Sequence, residues 1–221
     1  MKFIIAFLTI FAAYLIGSIN FAVIFTKLFT HADIRDYGSG NAGTTNVLRV
    51  SGAKAGALTF VADALKGVAA VLLGMFVFKY FLYTPEAPYF NFVYGKFACA
   101  FACMVGHCWP VFFQFRGGKA AATSVGIFAV CCPPAIVLGL IGFIICMFAA
   151  KMVSLGSLVA TAVVTIVVII SAFCGFLGDV NPYVISAIIL VCAFIVFYRH
   201  KENIVRLING TEKRFSIKKD K

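Results

Sequence analysis

Long apolar runs leave this chain few choices. Apolar residues predominate over Phe3 to Lys27, Gly56 to Phe81, Phe97 to Phe115, Ser124 to Ala150, Val153 to Leu177 and Tyr183 to Tyr198. Most of these stretches reach the ~20 residues that carry a helix across a bilayer. In lipid the backbone must satisfy its own hydrogen bonds, so helices are the form such runs take. Hydrophobic residues fill 62% of the 221 positions and charged residues only 12%. A soluble domain is roughly half apolar and a quarter charged. These proportions point to an all-α integral membrane protein. Residues 1–221 are read as a single polytopic domain with a basic tail over 199–221. The first run is too long for the apolar core of a signal peptide and lacks a small-residue cleavage site, so it reads as a retained anchor.

The formal charge of +11 does not make the chain a nucleic-acid binder. Its basic residues sit in short segments beside apolar runs, where orientation in the bilayer is read. Some of them face anionic lipid or an anionic substrate. The eight cysteines lie mostly inside apolar runs without zinc-type spacing, and read as small buried hydrophobes rather than metal ligands.

Arg35, Arg49 and Lys54 mark the first polar loop (His31 to Lys54) as cytoplasmic. Arg116 and Lys119 mark the loop after the third run in the same way, and the tail carries Arg199, Lys201, Arg206, Lys213 and Arg214. Lys2 argues weakly the other way. An outside N-terminus and a cytoplasmic C-terminus require an odd number of crossings. Splitting Ser124 to Ala150 at Pro133-Pro134 satisfies that parity and predicts a compact bundle of seven transmembrane helices. Each arm is then shorter than the ~20 residues of a full crossing and must thin the bilayer or lie inside the bundle. Five spans, with one apolar segment failing to cross, is the alternative.

With seven spans, three polar clusters meet at the cytoplasmic end. The first is YGSGNAGTTNVLR, Tyr37 to Arg49. Gly38, Gly40 and Gly43 let amides turn toward a ligand, while Ser39, Asn41, Thr44, Thr45 and Asn46 add short donors and acceptors. If Thr44 or Thr45 caps a helix, Thr45 and Arg49 share a face. A helix start with a hydroxyl and a guanidinium suits phosphate. The second cluster is RGGKAAAT, Arg116 to Thr123, where Gly117 and Gly118 free the backbone around Lys119. It is not a Walker A loop, since the spacing fails and no strand precedes it. The third is RHKENIVRLINGTE, in which His200, Asn203 and Arg206 follow at intervals of three on a helix. Lys201, Lys218, Lys219 and Lys221 read as a solvated basic face.

Asp63 and Lys66 are ionisable residues within a span, expensive unless paired, and their spacing suits an internal ion pair. His107 and Trp109 fit either the site or an interfacial belt. Ser154 and Ser157 fit either the site or small-residue helix packing.

Taken together, GSGNAGTTNVLR, DALKG, GHCWPVFFQFRGGKAAAT, VSLGS and HKENIVRLINGTE resemble the bacterial PlsY family, the glycerol-3-phosphate acyltransferases that use acyl phosphate as donor. The pieces come in the family's order and cover nearly the whole chain. Ala120 stands where the family usually has a glycine. The resemblance implies transfer of a fatty acyl group from acyl phosphate to the sn-1 hydroxyl of glycerol 3-phosphate. The products are lysophosphatidic acid and phosphate, made at a bacterial cell (inner) membrane during phospholipid synthesis. By motif position it implies that Ser39, Thr45, Arg49, Lys119, His200 and Asn203 carry binding and catalysis, and that Glu212 is mainly structural. It also implies no metal, nucleotide, acyl-CoA or other cofactor.

The residues agree with that chemistry. An acyl phosphate is already activated, so alignment and charge stabilisation supply most of the catalysis. No Ser-His-Asp set is evident, so Ser39 fits phosphate binding better than a covalent acyl-serine. His200 is a candidate base or orienting group, and a substrate phosphate, with a second pKa of about 6, is the other proton acceptor. A small transporter for a phosphorylated metabolite is the runner-up, although no internal repeat is seen. A scaffold that binds anionic lipid through its tail is a third reading.

Overall fold

A computed structural model describes residues 1–215. Among the described residues the chain is helical, with no strand: α1 (Lys2–Ser18), α2 (Phe21–Thr30), α3 (Thr44–Val77), α4 (Phe92–Cys108), α5 (Ala121–Cys131), α6 (Pro133–Ala150), α7 (Val153–Phe173), α8 (Pro182–Arg199) and α9 (Lys201–Ile208). Among the described residues, six apolar helical spans are long enough to cross a membrane: Lys2–Thr30, Thr44–Leu82, Phe92–Phe113, Pro133–Ala150, Val153–Phe173 and Pro182–Arg199. The apolar helix Ala121–Cys131 is shorter.

Local chemistry explains the breaks. Asn20 accepts a hydrogen bond from the Val23 amide at 3.3 Å and restarts the helix as α2. Pro133 and Pro134 occupy the first turn of α6, where a missing N–H costs nothing. The Ser124 to Ala150 region is therefore two helices, hinged between Cys131 and Pro133. Asn181 caps α8 by accepting from Tyr183 N at 2.9 Å.

Two boundaries differ from the hydropathy pattern. The polar stretch His31 to Lys54 is not all loop: α3 already begins at Thr44, bends at Gly52 (φ 87°) and continues to Val77. The N-cap is Gly43, so neither Thr44 nor Thr45 caps the helix. Its first turns are polar because they border a cavity rather than lipid. Helix α4 begins at Phe92 rather than Phe97, since the Asn91 side chain caps the Val93 amide at 2.9 Å.

Helix α1 packs on α4, α3 on α4 and α5, α6 on α7, and α7 on α8. The contacts are backbone-close, as small residues allow in membranes. A Cβ on Gly126 of α5 would lie 1.8 Å from the Ala64 carbonyl oxygen of α3. Phe97, Met104, Ile127, Val168, Ile185 and Ile189 fill the centre. Cys99, Cys103, Cys108, Cys131, Cys132 and Cys192 are buried with them.

Hydrogen bonds sort the connectors by end. At one end Lys2 Nζ donates to Thr84 Oγ1 at 3.1 Å, Asn91 Nδ2 to the Asp179 carbonyl at 3.3 Å, and Asn181 N to Tyr94 Oη at 2.6 Å. The N-terminus, the α3–α4 connector and the α7–α8 loop share that end. At the other, Arg199 bonds the Gly117–Gly118 loop, Glu212 meets Ser154, and Phe215 N bonds the Lys151 carbonyl.

Candidate active site

The first polar cluster is folded around one buried amide. Asn46 Nδ2 donates to the carbonyls of Tyr37 (2.9 Å), Asn41 (3.1 Å) and Ile34 (3.3 Å), while its Oδ1 accepts from Ser39 N at 3.0 Å. Every polar atom of the Asn46 side chain is thus spent on the loop. It braces the loop from within, and Asn46 also borders the cavity that the loop helps to wall. Gly38 sits at φ 66° and would press a Cβ to 2.2 Å from Asn46 Oδ1, so only glycine fits there. The loop presents Ser39 and Gly40 outward, and Thr45 and Arg49 follow on the first turns of α3.

The second cluster carries Lys119. Its Nζ donates to Asn203 Oδ1 on α9, joining residues 84 positions apart. Gly117 and Gly118 are buried beneath it. Gly118 packs against the His107 ring, where a Cβ would lie 2.2 Å from Nε2. Ala120 adopts φ 61°, a left-handed angle in a fully buried residue.

The third cluster is tied by Glu212. Its Oε1 accepts from Asn203 Nδ2 and from Ser154 Oγ, both at 2.7 Å, and its Oε2 accepts from Arg206 Nε at 2.7 Å. Helix α9, the segment after it and the start of α7 are fastened at one carboxylate. His200 is buried at the end of α8, and its Nδ1 lies 2.8 Å from the Val196 carbonyl. A carbonyl only accepts, so Nδ1 carries the proton and Nε2 keeps a free lone pair.

Burial and the neighbouring Arg206 lower the Lys119 pKa to about 8, with Glu212 and Glu202 opposing. Burial also lowers His200 to about 4; the bond to Val196 opposes this and the Lys119 charge adds to it. The imidazole is therefore neutral at neutral pH. Burial raises the Glu212 pKa, but bonds from Ser154, Asn203 and Arg206 outweigh it and the net shift is downward.

Below the loops lies a buried polar network. Asp63 and Lys66 pair at 2.8 Å, each side chain 2% exposed, and Lys66 Nζ donates to the Ile19 carbonyl at 2.7 Å. His107 is interior, its Nδ1 3.6 Å from Asp63 Oδ1 and 3.1 Å from Thr123 Oγ1. It is not a belt residue. Trp109 is half-buried under the Arg199 guanidinium, 5.7 Å from ring centroid to guanidinium carbon.

All three clusters open on one cavity of about 1000 Å³. Gly38, Ser39, Gly40, Asn41, Thr45, Arg49, Gly117, Lys119, His200, Asn203, Arg206 and Glu212 border it, with Asp63 and His107 at its floor. The same space continues between α5, α6, α7 and α8, where Phe128, Ile136, Leu140, Phe143, Val164 and Ile189 form apolar walls. A cationic, amide-rich chamber thus joins an apolar gallery, the shape an anionic headgroup with a hydrocarbon tail requires. Ser154 and Ser157 border it too, and so do Arg35, Arg116 and Arg199, which the sequence marks only as charges that orient the chain. Arg35 sits in an unremarkable DIRD string, and only the fold shows that its Nη1 bonds the Phe113 carbonyl at 2.9 Å.

The family model described as Glycerol-3-phosphate acyltransferase matches residues 7–210. A protein of that name from Thermoanaerobacter sp. (strain X514) is 44% identical over 216 residues, covering 96% of this chain and 97% of its own. One from Syntrophotalea carbinolica is 39% identical over 209 residues, covering 95% and 97%. A crystal structure of PlsY (YgiH), an integral membrane glycerol 3-phosphate acyltransferase in its glycerol 3-phosphate form, superposes with a TM-score of 0.78 at 31% identity over 96% of each chain. The lysophosphatidic acid form gives 0.77 at 30%, again over 96% of each. The chain, with its anion chamber and apolar gallery, belongs to the glycerol-3-phosphate acyltransferase family.

Proposed function

We propose that this acyltransferase takes its acyl group from acyl phosphate and delivers it to the sn-1 hydroxyl of glycerol 3-phosphate at the cytoplasmic face of a bacterial inner membrane. The observation that carries the reading is the continuity of the two halves of the cavity. Cations and amides suit the two phosphates, and the apolar walls suit a fatty chain entering from the lipid. Orientation follows from the basic residues: the end holding Arg49, Arg116, Lys119 and the tail is cytoplasmic, the N-terminus is outside, and the short α5 completes seven crossings. The transporter reading finds no support in the family model or in the relatives described above, which are named as acyltransferases.

In the reaction the acceptor hydroxyl oxygen attacks the donor carbonyl carbon. The bond from that carbon to the phosphate oxygen breaks, and inorganic phosphate leaves with the electron pair. Ser39, Arg49 and the Gly38–Asn41 loop hold one phosphate, while Lys119 and Arg206 hold the other. Asn203 aligns Lys119. His200 Nε2, neutral and unprotonated, accepts the hydrogen bond of the attacking hydroxyl and orients it. With a pKa of about 4 it is a weak terminal base. The departing phosphate, with a second pKa of about 6, takes the proton more readily.

Purified protein given acyl phosphate should release phosphate only when glycerol 3-phosphate is present, and acyl-CoA should not replace the donor. Acceptor-independent release, or equal use of acyl-CoA, overturns the donor assignment. Lys119→Ala should raise the acceptor KM or abolish turnover. Unchanged kinetics would remove Lys119 from the site.

A further inference from the structure

Two carbonyls next to Lys119 are held from another helix. Arg199, the last residue of α8, donates from Nε to the Gly118 carbonyl at 3.0 Å and from Nη2 to the Gly117 carbonyl at 2.9 Å. Its guanidinium rests on Trp109, which in turn is fixed where Tyr14 Oη donates to the Trp109 carbonyl at 3.0 Å. From the opposite side the Gly118 amide donates to the His107 carbonyl at 3.1 Å. A Cβ on Gly117 would fall 2.1 Å from that same oxygen, so the strand of loop is pinned between α4 and α8 without slack.

We infer that Arg199 is a positioning residue: its planar fork clamps the glycine pair and thereby sets where Lys119 meets the acceptor phosphate. Arg199 adjoins His200 and lies one helical turn from Asn203. One short segment therefore supplies both the clamp on the lysine loop and the residues the lysine faces. Arg199 thus ties its helix to carbonyls 81 and 82 positions away, beside the bond from Lys119 to Asn203. A fork matched to two parallel acceptors is a property of guanidinium that an ammonium lacks. The inference rests on the reading of Lys119 as an acceptor-phosphate ligand.

The test is a double-mutant cycle on the full-length protein, with glycerol 3-phosphate and acyl phosphate varied in turn. R199A and R199K should each raise the acceptor KM about tenfold, a loss of about 1.4 kcal/mol, and leave the donor KM within about twofold. Adding R199A to K119A should change the acceptor KM little further, because a clamp acts only through the lysine it holds. If K119A is silent in turnover, protection of the protein by glycerol 3-phosphate against thermal unfolding gives the same comparison. R199K retains the stem over Trp109 and the charge, so it carries the test if R199A does not fold. Wild-type acceptor KM in R199K, unchanged KM in both variants, an equal rise in donor KM, or full additivity with K119A each overturns the clamp. An unaltered acceptor KM in K119A alone removes the lysine's assigned role instead, so the two failures are distinguishable.

Discussion

Ala120 carries a left-handed backbone angle that its Cβ resists, at the position where the resembling family usually has glycine. The penalty is of order 1–2 kcal/mol, partly offset by the smaller unfolded-state entropy of alanine. Ala120→Gly should therefore stabilise the protein by about 0.5–1 kcal/mol, read as a higher melting temperature in detergent. A lower one would show that packing of the buried methyl outweighs the strain. His200 makes a pH prediction. Its folded pKa lies below the ordinary histidine value, so its contribution to stability is fully present above about pH 6.5 and is lost as pH falls toward 4. Wild type should lose about 2 kcal/mol between pH 7 and pH 5 from this group, and His200→Gln should flatten that slope in thermal scans. Lys119 acts on the other side of neutrality. Above its pKa of about 8 the cation is lost, so kcat/KM for the acceptor should fall on the alkaline side. Lys119→Arg, wherever it turns over, should remove that limb.

At the scale of elements, the knot at Glu212 holds α9 against α7 through Ser154, Asn203 and Arg206. Glu212→Gln keeps the shape but removes the charge that these donors share. It should cost about 1–3 kcal/mol and expose residues 201–208 to faster hydrogen exchange, with unchanged exchange counting against the knot. Much at this scale was legible beforehand. Pro133-Pro134 marks the hinge, and the three polar strings mark the loops that reach the chamber. The start of α3 is half legible: a helix beginning near Thr44 or Thr45 is offered by GTTN, but the polar composition through Lys54 reads as loop, whereas in the fold these residues border a cavity in helical form. The role of Arg199 is illegible in sequence for a different reason. Next to His200 it reads as one more basic residue near the membrane surface, and its role exists only once Gly117 and Gly118 are folded against α8. Asn46 is ambiguous in sequence, because an amide beside a glycine loop looks alike whether it binds phosphate or braces the backbone that does; in the fold it braces the loop and also borders the cavity. The lysines at 218, 219 and 221 lie outside the described residues.

For the whole molecule, the apolar gallery predicts donor selectivity. Ala193 borders it on α8, between Val196 near the chamber and Ile189, which lies roughly 10 Å deeper by helical rise. Ala193→Phe should reduce kcat/KM for a long-chain acyl phosphate by about tenfold more than for a medium-chain one. Equal loss for both would place the chain elsewhere. The hinge at Pro133 has a consequence for where the chemistry takes place. Helices α5 and α6 leave it in opposite chain directions but unequal in length, 11 residues against 18. The difference amounts to roughly 10 Å of rise, so the Lys119 loop is sunk well below the rim that Lys151 marks. On the proposed assignment of donor and orientation, the enzyme lowers its water-soluble reactant toward the level of the lipid ester linkages, and the greasy reactant never has to be hoisted out of the bilayer.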